Sequence, residues 1–380
     1  MKKRLSIVLC MTLMATSLLA GCKKKEEAPE PTETVSEAEP ETETETGKDG
    51  MARSYLTGEW IDKDLAKKKP VAIMIGNTND ALPQYGLSQA DVLYEAPAEG
   101  GITRLMPIFQ DYSGLDKIGS VRSCRHYYAY YAMEFDAIYI HYGQAIYATE
   151  LLESGKVEDL NGLEGAIDSA TFYRDKSRKA PHNAFVSTDG IDAGIELKGY
   201  DTELPSDYEG HYQFNEDDEK EIELTDGADA AVVQPGYYVN NPWFVYNSED
   251  GLYYRFQYKK EHMDENTGTQ LAFKNILLQY CDYTKLDDAH GYLDVESTGE
   301  GTGKYITNGK VIDVTWKKAS ENEPTRYYDA SGNEITLNQG KTMVCVLLND
   351  MEKKLNIYAT EDEFTPVSYT HLRAHETRHD

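Results

Sequence analysis

Several things are scarce in this chain, and each scarcity narrows what it can be. Basic residues are outnumbered: 38 Lys and Arg face 66 Asp and Glu, a net charge of −28. Nucleic-acid phosphates are held by clustered Lys and Arg, so a nucleic-acid partner is excluded. Loose adhesion to anionic lipid through a basic face is disfavoured on the same ground. Five cysteines in 380 residues do not make a disulfide scaffold. The apolar stretch from Leu5 to Ala20 is too short to span a bilayer comfortably. No helical-repeat period is present, which removes solenoids. Phe is rare at 9 residues and Trp at 3, so the 29 Tyr carry most of the aromatic content. What is present is 40% hydrophobic residues, enough for real cores and, at this length, for two domains with a tail.

The two ends read differently from the middle. Met1-Lys2-Lys3-Arg4 is a basic start, followed by the apolar stretch and Leu19-Ala20-Gly21-Cys22. This resembles a bacterial lipobox, in which the signal is cut before a cysteine that then carries the lipid. Residues 1–22 are therefore expected to be a lipoprotein signal peptide, with Cys22 as the lipid attachment site. The expected location is the cell membrane, lipid-anchored, on its extracytoplasmic face. Residues 23–54 are expected to be an acidic tether. Up to Gly50 it holds four Lys against ten acidic residues and almost nothing apolar, so it cannot bury a core. Residues 51–380 still carry −25, so the acidity belongs to the folded part.

At the other end, His371, His375 and His379 are spaced for one helix face, a pattern that can hold zinc. The string SYTHLRAHETRHD instead resembles translated sequencing-adapter read-through, and residues 366–380 are set aside as a scar. No metal and no cofactor are expected.

The middle mixes elements. Short apolar runs predict strands at 71–76, 90–96, 102–110, 137–143 and 184–188. Longer patterns predict helices at 124–135, 144–155 and 189–199, the second stopping at Gly155 and the last starting at Asp189. Beyond a polar, acidic connection at 201–228, strands and hairpins dominate, with Asn308-Gly309 as a turn. The fold class expected is α+β: a layered mixed α/β domain over 55–200, then a smaller β-rich domain over 229–365.

The strings PVAIMIGN (70–77), LSQADVLYE (87–95) and EAPAEGGITRL (95–105) carry a specific likeness. It continues through IGSVRSCRHYYAYYAMEFDAIYIHYG (118–143), FYRDKSRKAPHNAFVST (172–188), TGTQLAFKNILLQY (267–280) and GKTMVCVLL (340–348). The chain resembles the YerB-like lipoprotein family, a domain family of unknown function, over about residues 55–350. The resemblance implies a bacterial envelope lipoprotein with two folded parts and no settled activity. Cys124 departs from the small residue that the family often has there.

Within this frame a polar cleft is predicted from Glu95, Glu99, Arg104, Arg122, Ser123, Arg125, His141, Arg174, His182 and Asn183. Two nearby carboxylates can divide acid and base work if their pKa values split. The alternative is a rigid turn whose glutamates pair with Arg104. Arg122 and Arg125, flanking Ser123, can hold a carboxylate or phosphate through forked hydrogen bonds; Ser123 can equally cap the following helix. The histidines read as members of the cleft or as structural. The crowd of tyrosines from Tyr127 to Tyr147 reads as a cleft lining or as core packing.

The function this supports is a binding or scaffold module, anchored to the membrane, for a cell-wall glycan or peptide fragment or an envelope protein. A second class, an envelope hydrolase or transferase, would use the Glu/His/Arg cleft or Cys124 as a nucleophile.

Overall fold

A computed structural model describes residues 48–365. The lipobox with Cys22, most of the tether and the C-terminal histidines lie outside the described residues. The core is a twelve-stranded mixed sheet. Its centre is strand Thr342–Leu348, which runs parallel to Asn275–Cys281 on one side and to Val92–Pro97 on the other. From Val92–Pro97 the sheet continues through Thr103–Phe109, Val71–Ile73, Ile138–His141 and Asp159–Asn161. On the opposite side it runs from Asn275–Cys281 to Gly299–Thr307 and Lys310–Lys318. One sheet thus carries strands from both halves of the sequence.

The burial pattern follows from the position of each strand. Val92–Pro97 and Thr342–Leu348 are buried at every residue, as central strands covered on both faces must be. Lys310–Lys318 largely alternates buried with more exposed residues, because beyond the centre one face meets water. It is joined to Gly299–Thr307 through Asn308 and Gly309, both at positive φ (48° and 72°), which is the backbone a two-residue hairpin turn demands. A second, six-stranded sheet is built around Trp243–Asn247 and Leu252–Gln257.

The mixed α+β class expected from the sequence is what is found. The differences are local. The helix expected over 124–135 is His126–Met133. The helix expected over 144–155 is a 3-10 turn, Ile146–Ala148, followed by one short helix, Thr149–Glu153. Helix Thr188–Lys198 starts earlier than Asp189: Ser187 caps it by accepting from the Gly190 amide at 3.2 Å. Gly199, at φ 69°, stops it. The polar stretch after residue 200 packs against the fold: Gln213–Phe214 pairs in parallel with Thr336–Leu337, and His211 is fully buried.

Candidate functional site

The structure divides the predicted cleft into separate groups. Glu95 sits in strand Val92–Pro97 with no exposed surface. Its Oε1 accepts from Asn77 Nδ2 at 3.1 Å, Thr103 Oγ1 at 2.7 Å and Asn240 Nδ2 at 2.6 Å. Its Oε2 accepts from Arg255 Nη2 at 2.7 Å. Arg255, also fully buried, donates through Nη1 to His262 Nδ1. A guanidinium can only donate, so His262 keeps its proton on Nε2 and donates to Gln84 Oε1 at 2.5 Å. Burial, reinforced by Arg255, holds that imidazole well below its usual pKa, so it is neutral. This is a closed internal network that joins the two halves of the chain. Glu95 is therefore no cleft residue, and it shares no hydrogen-bond partner with Glu99.

Glu99 belongs to a second group, made by three arginines. It lies in the turn Glu99–Gly101, where Gly100 and Gly101 both have positive φ. Arg125 donates to it through Nε at 2.9 Å and through Nη2; Arg104 Nη2 reaches it at 3.4 Å. Arg104 and Arg125 are buried, 3% and 5% exposed. Their remaining donors go to main-chain oxygens: Arg104 Nη1 to Ser123, Arg125 Nη1 to Cys124 at 2.9 Å. Burial alone would raise the Glu99 pKa; Arg125 and Arg104 outweigh it and leave the carboxyl below its usual value.

Arg122 is the third arginine, half-buried on the same segment. Its Nη1 donates to the Pro181 carbonyl at 2.9 Å, and it makes no ion pair among the described residues. Burial first, then the charges of Arg104 and Arg125, bring its pKa down to about 10, so it stays a cation at neutral pH. Gly76 makes room for it: a Cβ there would lie 3.0 Å from Arg122 Cγ. Ser123 follows, and its hydroxyl is not the helix cap. The cap position is Arg125, and no side chain caps the helix.

The other predicted members fall around or away from this group. His182 stands beside Arg122 on the 180–183 loop; its Nδ1 is buried without a partner. Burial and Arg122 lower its pKa. Arg174 donates to Asn183 Oδ1 at 2.9 Å and lies over the Tyr142 ring. Tyr142 is itself paired to the segment, its amide donating to the Arg122 carbonyl at 2.9 Å. His141 is fully buried, with Nδ1 2.9 Å from the Gly143 carbonyl and Nε2 3.0 Å from Asp159 Oδ2. Both ring nitrogens face oxygens of the protein, so His141 leaves the cleft.

Cys124 has no exposed surface, and burial pushes its thiol up to about 12. That is the opposite of an activated nucleophile. Cys281 and Cys345 are buried and free as well. In the native protein, residues 124, 281 and 345 should stay unlabelled by a thiol reagent through hours of exposure, and react on unfolding. Peptide mass mapping of the labelled sites checks this; prompt labelling of Cys124 would contradict its burial.

Three of the four tyrosines of the helix are core. Tyr127, Tyr128 and Tyr131 are fully buried, and Tyr131 stacks on Tyr94 at 4.9 Å. Their hydroxyls are used inside: Tyr128 donates to Arg104 O at 2.6 Å, Tyr127 to Pro97 O at 2.7 Å. A tyrosine-lined cavity of about 440 Å³ lies instead beyond Gly100 and Gly101, against Tyr237, Tyr238 and Tyr283. A larger one, about 730 Å³, is lined by Glu134, Asp136, Glu158, Glu321 and Glu323 among others, and by none of the three arginines. Among the described residues no group of three or more His, Cys, Asp or Glu is placed to hold a metal ion.

What the sequence reading missed was Arg255, His262 and Asn240, all in the second half and all bound to the Glu95 network. The signal available was weak: a lone arginine in the alternating strand LYYRFQ, on its buried face.

Residues 56–201 match the N-terminal domain described as a protein of unknown function, DUF3048, and residues 231–344 match its C-terminal domain. The chain belongs to the DUF3048 family. A relative from Bacillus subtilis (strain 168), named "Putative lipoprotein YerB", is 29% identical over 331 residues, 84% of this chain and 88% of the relative. The crystal structure of the YerB protein from Bacillus subtilis superposes with a TM-score of 0.70 at 29% identity, over 80% of this chain and 99% of that one. The relationship is thus to a lipoprotein whose activity is not known. Among the described residues no helix is long and apolar enough to cross a membrane.

Proposed function

We propose that this DUF3048 protein is anchored through Cys22 to the extracytoplasmic face of the membrane and binds an acidic group of a cell-wall fragment or envelope partner. The lipobox and the lipoprotein relative support the anchor. The binding role rests on one observation: a cation, Arg122, left without an ion pair among the described residues, beside two buried arginines in a chain of net charge −28. So acidic a protein has carboxylates to spare, yet among the described residues only Glu99 is placed against this group. Buried or half-buried charge is normally paired, so an unpaired guanidinium beside two others awaits an anion.

Soluble wall fragments passed over the immobilised full chain should be retained. Arg122→Glu, which reverses the charge, should cut retention at least about tenfold, the equivalent of one lost charge-assisted contact. Equal retention by both proteins, or none by either, would show that the arginine group is not the binding site.

A further inference from the structure

The ligand class can be taken further, on the footing that the arginine group is a binding site. We infer that the group held at Arg122 is a phosphomonoester. Charge matching carries the choice. Arg104 and Arg125 share the carboxylate of Glu99 and Arg122 pairs with no carboxylate among the described residues, leaving the three arginines and Glu99 at about +2 by formal charge. A carboxylate or a phosphodiester brings a single negative charge and would neutralise half of that. A phosphomonoester carries about −1.5 to −2 at neutral pH and offers three strong acceptor oxygens.

The donors divide in a way that suits such a group. Arg104 and Arg125 are tied to Glu99 and to the carbonyls of Ser123 and Cys124, so they supply a fixed positive field from inside. Arg122 spends Nη1 on the Pro181 carbonyl and keeps the rest of its fork. Ser123 Oγ has no hydrogen-bond partner among the described residues and lies beside Gly143, which has φ 75°. His182, whose Nδ1 is buried and unpartnered, lies near enough to Arg122 to feel its charge. A guanidinium fork with donors to spare and the hydroxyl of the next residue are the groups on this segment left to meet the several acceptor oxygens of such an anion.

The test is calorimetric titration of the full chain in detergent at low salt with inorganic phosphate, glycerol phosphate, dimethyl phosphate and acetate. Inorganic phosphate and glycerol phosphate should bind at least about tenfold tighter than dimethyl phosphate and acetate, a difference of one charge-assisted interaction. Arg122→Gln should weaken phosphate about tenfold or more, and Ser123→Ala a few-fold, with melting temperatures unchanged. Lys317→Gln, on a distant strand, should bind as the parent does. Acetate binding as tightly as phosphate would overturn the phosphomonoester while leaving an acidic ligand intact. No response to any of the four anions would also overturn it, and retention of wall fragments would then decide the wider binding role by itself.

Discussion

Arg255→Met is expected to destabilise the protein by about 3–5 kcal/mol, the usual cost of stranding one half of a buried ion pair. The total stability of a domain is about 5–15 kcal/mol, so this single change removes a large fraction of it. The reason lies in where Glu95 sits. Its carboxylate is fully buried, and Asn77, Thr103 and Asn240 satisfy one oxygen with neutral donors. The other oxygen has the guanidinium of Arg255 at 2.7 Å. Without it a charge stays in the core with no counter-charge, and His262 loses the donor to its Nδ1. Urea unfolding followed by circular dichroism reads the effect as a fall in midpoint at constant slope. The double variant Glu95→Gln, Arg255→Met should recover most of the loss, since it removes both charges. A single variant costing less than about 1 kcal/mol would mean the pair does not hold the two halves together.

Glu134→Ala should cost a similar amount, about 3–5 kcal/mol, for a different reason. Glu134 stands just after helix His126–Met133 and is fully buried with Lys318 and His211. Oε1 accepts from Lys318 Nζ at 2.6 Å; Oε2 accepts from His211 Nε2 at 2.6 Å and from the Thr325 amide at 3.1 Å. Burial opposes the charge on Glu134, but Lys318 and His211 together hold its pKa below the usual carboxyl range. Removing it strands a buried ammonium. Lys318 is already pulled below its ordinary pKa by burial and kept charged by this partner. The same unfolding experiment measures the loss. Lys318→Met in the Glu134→Ala background should restore stability relative to Glu134→Ala alone; no restoration would show that the stranded lysine is not the cause.

The two networks also explain what could be read from the sequence and what could not. Continuous apolar runs such as 71–76 and 342–348 locate central strands, because burial on both faces removes any need for polar alternation. The tyrosine spacing at 127, 128 and 131 locates a helix. Pairing is another matter. Tyr94 lies beside Val344 and Glu95 beside Cys345, positions about 250 residues apart in the chain, and no local pattern encodes that register. Nearness in sequence groups Glu95 with Glu99. Its real partner, Arg255, is 160 residues away. His141 fails as a cleft residue for a similar reason: strand Asp159–Asn161, too short to stand out, brings Asp159 against its ring. Arg104, Arg122 and Arg125 are legible because they lie close in sequence, on a strand, on the segment that leads into the helix and at the helix N-cap, which pack locally.

The most direct measurement is a crystal structure of the protein with a bound wall fragment or phosphomonoester. The expected result is density for the ligand's acidic group within about 3 Å of Arg122 and Ser123 Oγ, the range of a charge-assisted hydrogen bond, with Arg104, Arg125 and Glu99 unmoved. Density confined to the acidic cavity at Glu134 or to the tyrosine-lined cavity at Tyr237, with Arg122 untouched, would contradict a binding role for the arginine group.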